Sequence, residues 1–180
     1  MSKHYFIGIK SPPTFATLVD TYQTKYNLTE AYKVIPHPDD LHVTLLFIGA
    51  MSEQSLPTLT TRLRMIAERN PPFHISMDGL SYFGSPAGPR VVYLSFEESK
   101  VLSALQKDID VTVADLLDRP VSDRFTPHIT IAKKRKTKDK LFIQKETLIP
   151  IEVQVSSFVL FTIHPEKSPK YEVIETFTLS

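Results

Sequence analysis

The 180-residue chain has no cysteine, only five glycines, and no apolar run near the roughly 20 residues that a bilayer span needs. Without cysteine there is no disulfide, no thiolate metal site and no cysteine nucleophile. The glycines form neither common phosphate-binding loop, so chemistry driven by a nucleoside triphosphate is not expected. No Gly-x-Ser-x-Gly elbow is present, and a Ser–His–Asp hydrolase fits poorly. No His-x-x-x-His pair occurs, and two histidines alone do not fill a zinc site, so neither metal nor cofactor is expected. The opening residues, Met1-Ser2-Lys3-His4-Tyr5-Phe6, lack the apolar stretch of a signal peptide, and the expectation is a cytoplasmic protein without membrane attachment. A dominant charge is missing too. The 21 basic and 20 acidic residues leave +1, which gives no global pull toward long nucleic acid and leaves room only for a local basic cluster.

What is present fits one domain over residues 1–180, large enough to bury a sizeable core. Strand-like segments dominate: Tyr5 to Ile9, Lys33 to Ile35, Leu41 to Ile48, Phe73 to Met77, Arg90 to Phe96, His128 to Ala132, Ile151 to Phe161 and Tyr171 to Leu179. Apolar residues recur at helical spacing in Thr14 to Tyr26, Ser52 to Glu68 and Ser99 to Leu117. Tyr82 to Arg90, with its glycines and prolines, reads as an ordered loop. Helices do not alternate strictly with strands, which favours α+β with mainly antiparallel sheets over a wound parallel sheet. A weak internal repeat places one histidine strand in each half. The expected architecture is bilobal: two mainly antiparallel sheets, helices on the outer faces, and lobes related by a pseudo-two-fold axis around a central cleft. No long heptad pattern appears, and a monomer is expected.

The repeat is His42-Val43-Thr44-Leu45, answered 86 residues later by His128-Ile129-Thr130-Ile131. Side chains at i and i+2 of a strand share a face. His42 therefore stands beside Thr44 and His128 beside Thr130, with the four apolar residues on the other face. Breaking a phosphodiester needs a base on the incoming nucleophile and an acid on the leaving oxygen, on opposite sides of phosphorus. Imidazole suits both tasks near neutral pH. Threonine hydroxyls can donate to the non-bridging oxygens. A lone strand histidine is usually structural, but two matching strings point to one shared site. His4, His37, His74 and His164 sit in no repeated setting and default to structural or surface roles, although His164 could approach the cleft.

At these residues the chain resembles the two-histidine phosphoesterase superfamily, and more narrowly the LigT-like RNA 2′,3′-cyclic phosphodiesterases, also called 2′-5′ RNA ligase-like. The resemblance runs from Tyr5-Phe6-Ile7-Gly8-Ile9 through Leu41 to Gly49, Phe83 to Leu94 and Arg124 to Lys133, and closes over Phe158 to Leu179. It implies metal-independent opening of a terminal 2′,3′-cyclic phosphate to a 2′-phosphomonoester. By analogy His42 is the proton donor, His128 the proton acceptor, and Thr44 and Thr130 hold the phosphate. The two strings are too alike for the sequence itself to assign acid and base. Relatives often carry Arg where Lys133 stands and Gly-Pro-x-Tyr where Ser168-Pro169-Lys170-Tyr171 stands. Lysine keeps the charge but loses the bidentate fork. Arg124 and Lys133 are candidates to contact substrate, and Tyr5, Phe47, Phe83 and Phe125 to stack on a terminal base. The basic stretch Lys133 to Lys140 is either a solvated loop or a contact to upstream phosphates. The implied partner is RNA with a 2′,3′-cyclic phosphate end, or a small nucleotide. The alternatives are a 2′-5′ phosphodiesterase or ligase, a non-catalytic module that binds RNA ends, and a scaffold that binds no phosphate.

Overall fold

The structure, a computed structural model, describes residues 2–180. The strands are β1 (His4–Lys10), β2 (Tyr32–Val34), β3 (His42–Ala50), β4 (Phe73–Ser85), β5 (Gly88–Phe96), β6 (His128–Arg135), β7 (Glu146–Val155), β8 (Ser157–Ile163) and β9 (Tyr171–Thr178). The helices are α1 (Phe15–Lys25), α2 (Leu28–Ala31), α3 (Leu56–Glu68) and α4 (Lys100–Leu117). The fold is α+β, and each strand pairing is antiparallel.

The strands run in the order β7-β4-β5-β6-β3-β1-β8-β9, with β2 also paired to β6. The two expected sheets are thus continuous: four strands on each side meet where β3 touches β6, and the only register pair there is Val43 with Ile129. That pair is the centre of the pseudo-symmetry. β3 matches β6, β1 matches β5, β8 matches β4 and β9 matches β7. Only Ser156 separates β7 from β8, so the stretch expected as one strand, Ile151 to Phe161, is two strands in different lobes. Tyr82 to Arg90 is not a loop. Its ends extend β4 and β5 into a hairpin, with Phe83 opposite Val91 and a bulge at Gly84, whose φ of +101° is open to glycine. The ladder overrides the breaker residues.

Helices cover the apolar face. Ser99 caps α4 by accepting from the Leu102 N–H at 3.1 Å. Leu102, Leu105, Ile109 and Val113 then face inward at helical spacing, as do Leu59, Leu63 and Ile66 of α3. They pack in one cluster with Val43, Leu45, Ile129 and Ile131, each 2% exposed or less. Burying those four side chains is what turns His42, Thr44, His128 and Thr130 to the opposite face.

Candidate active site

Because Val43 lies opposite Ile129, one step along each antiparallel strand puts His42 across from Thr130, and Thr44 across from His128. The four side chains form a square with histidines on one diagonal and threonines on the other. The two halves then repeat each other beyond the motif. The Nδ1–H of His42 donates to the carbonyl of Asp40 at 2.6 Å, and that of His128 to the carbonyl of Thr126 at 2.7 Å. In both, the carbonyl two residues upstream fixes the tautomer and turns Nε2 outward. Each imidazole is walled by two close aromatic rings, and Phe161 lies a little farther from His42, at 6.2 Å. Phe6 and Tyr171 lie 4.7 and 5.2 Å from His42, and Phe83 and Tyr93 each lie 5.1 Å from His128.

Each threonine is followed by a bulge. On β3, Gly8 pairs with Thr44 but Ile7 pairs with Leu46; on β6, Tyr93 pairs with Thr130 but Val92 pairs with Ala132. Leu45 and Ile131 are the extra residues. Each bulge reverses the alternation, so the third residue after each threonine, Phe47 or Lys133, returns to the cleft face. A bulged residue leaves its carbonyl without a ladder partner, and a glutamine side chain supplies one in both cases. Gln106 of α4 donates to the Leu45 carbonyl at 3.2 Å, and Gln23 of α1 to the Ile131 carbonyl at 3.0 Å. Replacing Gln106 or Gln23 by leucine strands that carbonyl, at a cost of about 1–3 kcal/mol. Urea denaturation should show a loss in this range for each, and an unchanged midpoint would contradict the role given to these amides.

The pairs differ in one respect. The Thr44 hydroxyl lies 2.7 Å from His42 Nε2 and donates to it when the ring is neutral, whereas among the described residues His128 Nε2 has no protein partner. Burial, the larger cause, pushes His42 down to about 4, and the nearby His128 and Lys133 charges add to the fall. The Asp40 carbonyl and charge oppose it. His128 is lowered as well, by burial. Lys133 is lowered by burial and then by Lys134 and Lys170. Tyr171 is raised by burial and by the Asp40 charge, so its phenol keeps its proton.

A cleft of about 310 Å³ opens beside His42. Thr44, Thr130, Phe47, Lys133 and Lys134 contribute to its wall, with Phe6, Asp40, Lys170 and Tyr171. His128 stands outside this wall, against Phe83 and Tyr93. Among the candidates, Phe47 is 58% exposed at the cleft, free to stack on a base. Tyr5 is not: it is 1% exposed in the core, and its neighbour Phe6 faces His42 instead. Arg124 is exposed and lies outside the cleft wall. Phe83 packs on His128, and Phe125 packs on the core. His164 lies outside the wall and pairs with Glu172 at 2.5 Å.

Asp40 and Gly8 escaped the sequence reading. Asp40 is 6% exposed, and its carboxylate accepts the N–H groups of Lys170 and Tyr171 at 2.8 and 3.2 Å, tying the β8–β9 connection to the His42 lead-in. A Cβ on Gly8 would meet the Val43 carbonyl at 2.8 Å and His42 Cδ2 at 3.3 Å, so only glycine lets β1 pass under that imidazole. Among the described residues no three histidine, aspartate or glutamate side chains cluster as metal ligands do, and no helix is long and apolar enough to cross a membrane.

A two-lobed antiparallel sheet carrying crossed histidine–threonine pairs at its seam defines the two-histidine phosphoesterases. The profile of the 2′-5′ RNA ligase superfamily matches residues 11–166, and the chain belongs to that superfamily. An RNA 2′,3′-cyclic phosphodiesterase from Bacillus subtilis (strain 168) is 33% identical over 98% of this chain and 97% of its own length. The crystal structure of TT0787 from Thermus thermophilus superposes with a TM-score of 0.84 at 27% identity, over 98% of this chain and 97% of that one. E. coli LigT complexed with 3′-AMP shares the fold, with a TM-score of 0.83 at 21% identity over 100% of this chain and 99% of that one.

Proposed function

We propose that the protein hydrolyses RNA 2′,3′-cyclic phosphate termini to 2′-phosphomonoesters, acting as a monomer in which both lobes of a single domain, residues 1–180, supply the site. The observation that carries this reading is the diagonal of two imidazoles across one strand seam, each held in the tautomer that turns Nε2 outward. With a cyclic phosphate between them, neutral His128 takes a proton from water as its oxygen bonds to phosphorus. The bond from phosphorus to the 3′ oxygen breaks, and protonated His42 gives its proton to that oxygen. His128 suits the base role because its Nε2 has no protein partner and is open to a water molecule. His42 suits the acid role because the phosphate anion restores the imidazolium that burial disfavours.

Thr44 and Thr130 donate to the non-bridging oxygens, and Thr44 leaves His42 Nε2 to do so. Lys133 adds charge beside them. Such donors, fixed before the reaction, gather the charge that builds in the transition state. The same geometry, with a 5′-hydroxyl in place of water, would join two RNA ends, a reading that the superfamily description favours.

Phosphorus NMR of the purified protein with a short RNA ending in a 2′,3′-cyclic phosphate, in EDTA, tests the reading. The cyclic resonance should give way to that of a 2′-phosphomonoester. A 3′-phosphate, a longer oligonucleotide, or activity that chelation abolishes and zinc restores would contradict it.

A further inference from the structure

We propose that Lys134 and Lys170 form a second phosphate subsite in the cleft, which holds the phosphate on the 5′ side of the reacting nucleotide. This rests on the reading above and extends it from the reacting group to the substrate.

Consecutive residues of a regular strand point to opposite faces, so two adjacent lysines do not share a cavity. Lys133 and Lys134 both line this one. Two backbone irregularities bring them there. The bulge at Ile131 reverses the alternation and brings Lys133 to the face of His128 and Thr130. Lys134 then adopts a φ of +63°, a left-handed conformation that side chains with a Cβ disfavour. Strain of this kind tends to sit where a side chain is being aimed. Lys170 arrives from the β8–β9 connection, where its backbone N–H is held by Asp40.

Of the other basic residues in the stretch, Lys138 and Lys140 are exposed and lie outside the cleft wall, and the remaining two are engaged elsewhere. Arg135 donates to the Asp139 carbonyl and lies over Tyr32, and Lys136 donates to the Thr29 carbonyl. Lys133, Lys134 and Lys170 make no ion pair among the described residues. The one acid in the cleft wall, Asp40, is taken up by backbone N–H groups. Gathering three unpaired ammonium groups is unfavourable unless an anion answers them, and Lys133, whose proton affinity falls chiefly through burial, loses more of it to the other two. The reacting phosphate has Thr44, Thr130 and Lys133. A nucleoside cyclic phosphate carries no second anion for Lys134 and Lys170, whereas a nucleotide with a phosphate on its 5′ side does.

Calorimetric titration with three product-like probes at 50 and 200 mM salt tests this: adenosine 2′-phosphate, adenosine 2′,5′-bisphosphate, and an adenosine dinucleotide ending in a 2′-phosphate. The two-phosphate probes should bind roughly tenfold or more tightly at low salt. Their log–log salt dependence should be steeper by about 0.7, one extra single-strand phosphate contact. In Lys134→Gln/Lys170→Gln the ratio should fall toward one, while Lys107→Gln on α4 should leave it intact. A gain seen only with the bisphosphate identifies a mononucleotide substrate, and a gain with the dinucleotide identifies an RNA strand; both support the subsite. Equal affinities in the unaltered protein, or a gap that survives the double substitution, would overturn it. Turnover of a cyclic phosphate is scored separately. A gap without turnover sinks the hydrolase reading and leaves the subsite standing, and turnover without a gap sinks the subsite alone.

Discussion

His42→Ala and His128→Ala should each lower kcat on a 2′,3′-cyclic phosphate by about 100- to 10,000-fold, the usual worth of a positioned acid or base. The effects should not multiply. Acid and base act on one transition state, so once either is gone the remaining imidazole has little left to assist, and the double variant should fall only modestly below the worse single. What survives should come from the threonine hydroxyls and Lys133, which still meet the phosphate. KM should change less than kcat, and more in His42→Ala than in His128→Ala, because the anion that favours the His42 imidazolium is in turn held by it. Steady-state kinetics of the four proteins check this. A loss below tenfold in either single variant would mean that the diagonal geometry is not the catalytic one.

The second large effect is on pH dependence. The profile of kcat/KM reports the free enzyme, and that of kcat the substrate complex. In the free protein both histidines are pushed down, His42 to about 4, chiefly by burial among aromatic rings. In the proposed mechanism the reactive form has His42 protonated and His128 neutral. Raising the pH removes the His42 proton, so kcat/KM should peak on the acid side of 6.5 and fall by up to tenfold per pH unit above the alkaline limb. A bound phosphate anion favours the imidazolium, and the alkaline limb of kcat should lie at higher pH than that of kcat/KM. Alkaline limbs that coincide, or a limb of kcat/KM above 6.5, would contradict the burial argument.

The two motifs were legible because a period-2 pattern puts i and i+2 on one face, and the structure keeps that face for His42, Thr44, His128 and Thr130. The sequence also held an unused signal. After each threonine the alternation breaks, at Leu45-Leu46 and at Ile131-Ala132, and each break marks a bulge. Reading it would have sent Phe47 and Lys133 to the cleft by argument. Tyr5 was misplaced by a single position, since Phe6 shares the face of Gly8 beneath His42. Asp40, Gln23 and Gln106 act through backbone groups distant in sequence, and no local pattern announces such bonds. Arg124 is exposed and, like His128, forms no part of the cleft wall. The Tyr82 to Arg90 hairpin was hidden because glycine and proline signal a break, and only the partner strand shows that a ladder absorbs it.

The most direct test of the two-histidine account is a leaving-group comparison. A substrate with sulfur in place of the 3′ oxygen expels a thiolate, which needs no proton, since thiols ionise near pH 8.5. If His42 is the acid and His128 the base, the kcat deficit of His42→Ala should largely vanish on the sulfur substrate, and that of His128→Ala should persist. Equal deficits on both substrates for His42→Ala, or rescue of His128→Ala instead, would contradict the roles assigned here.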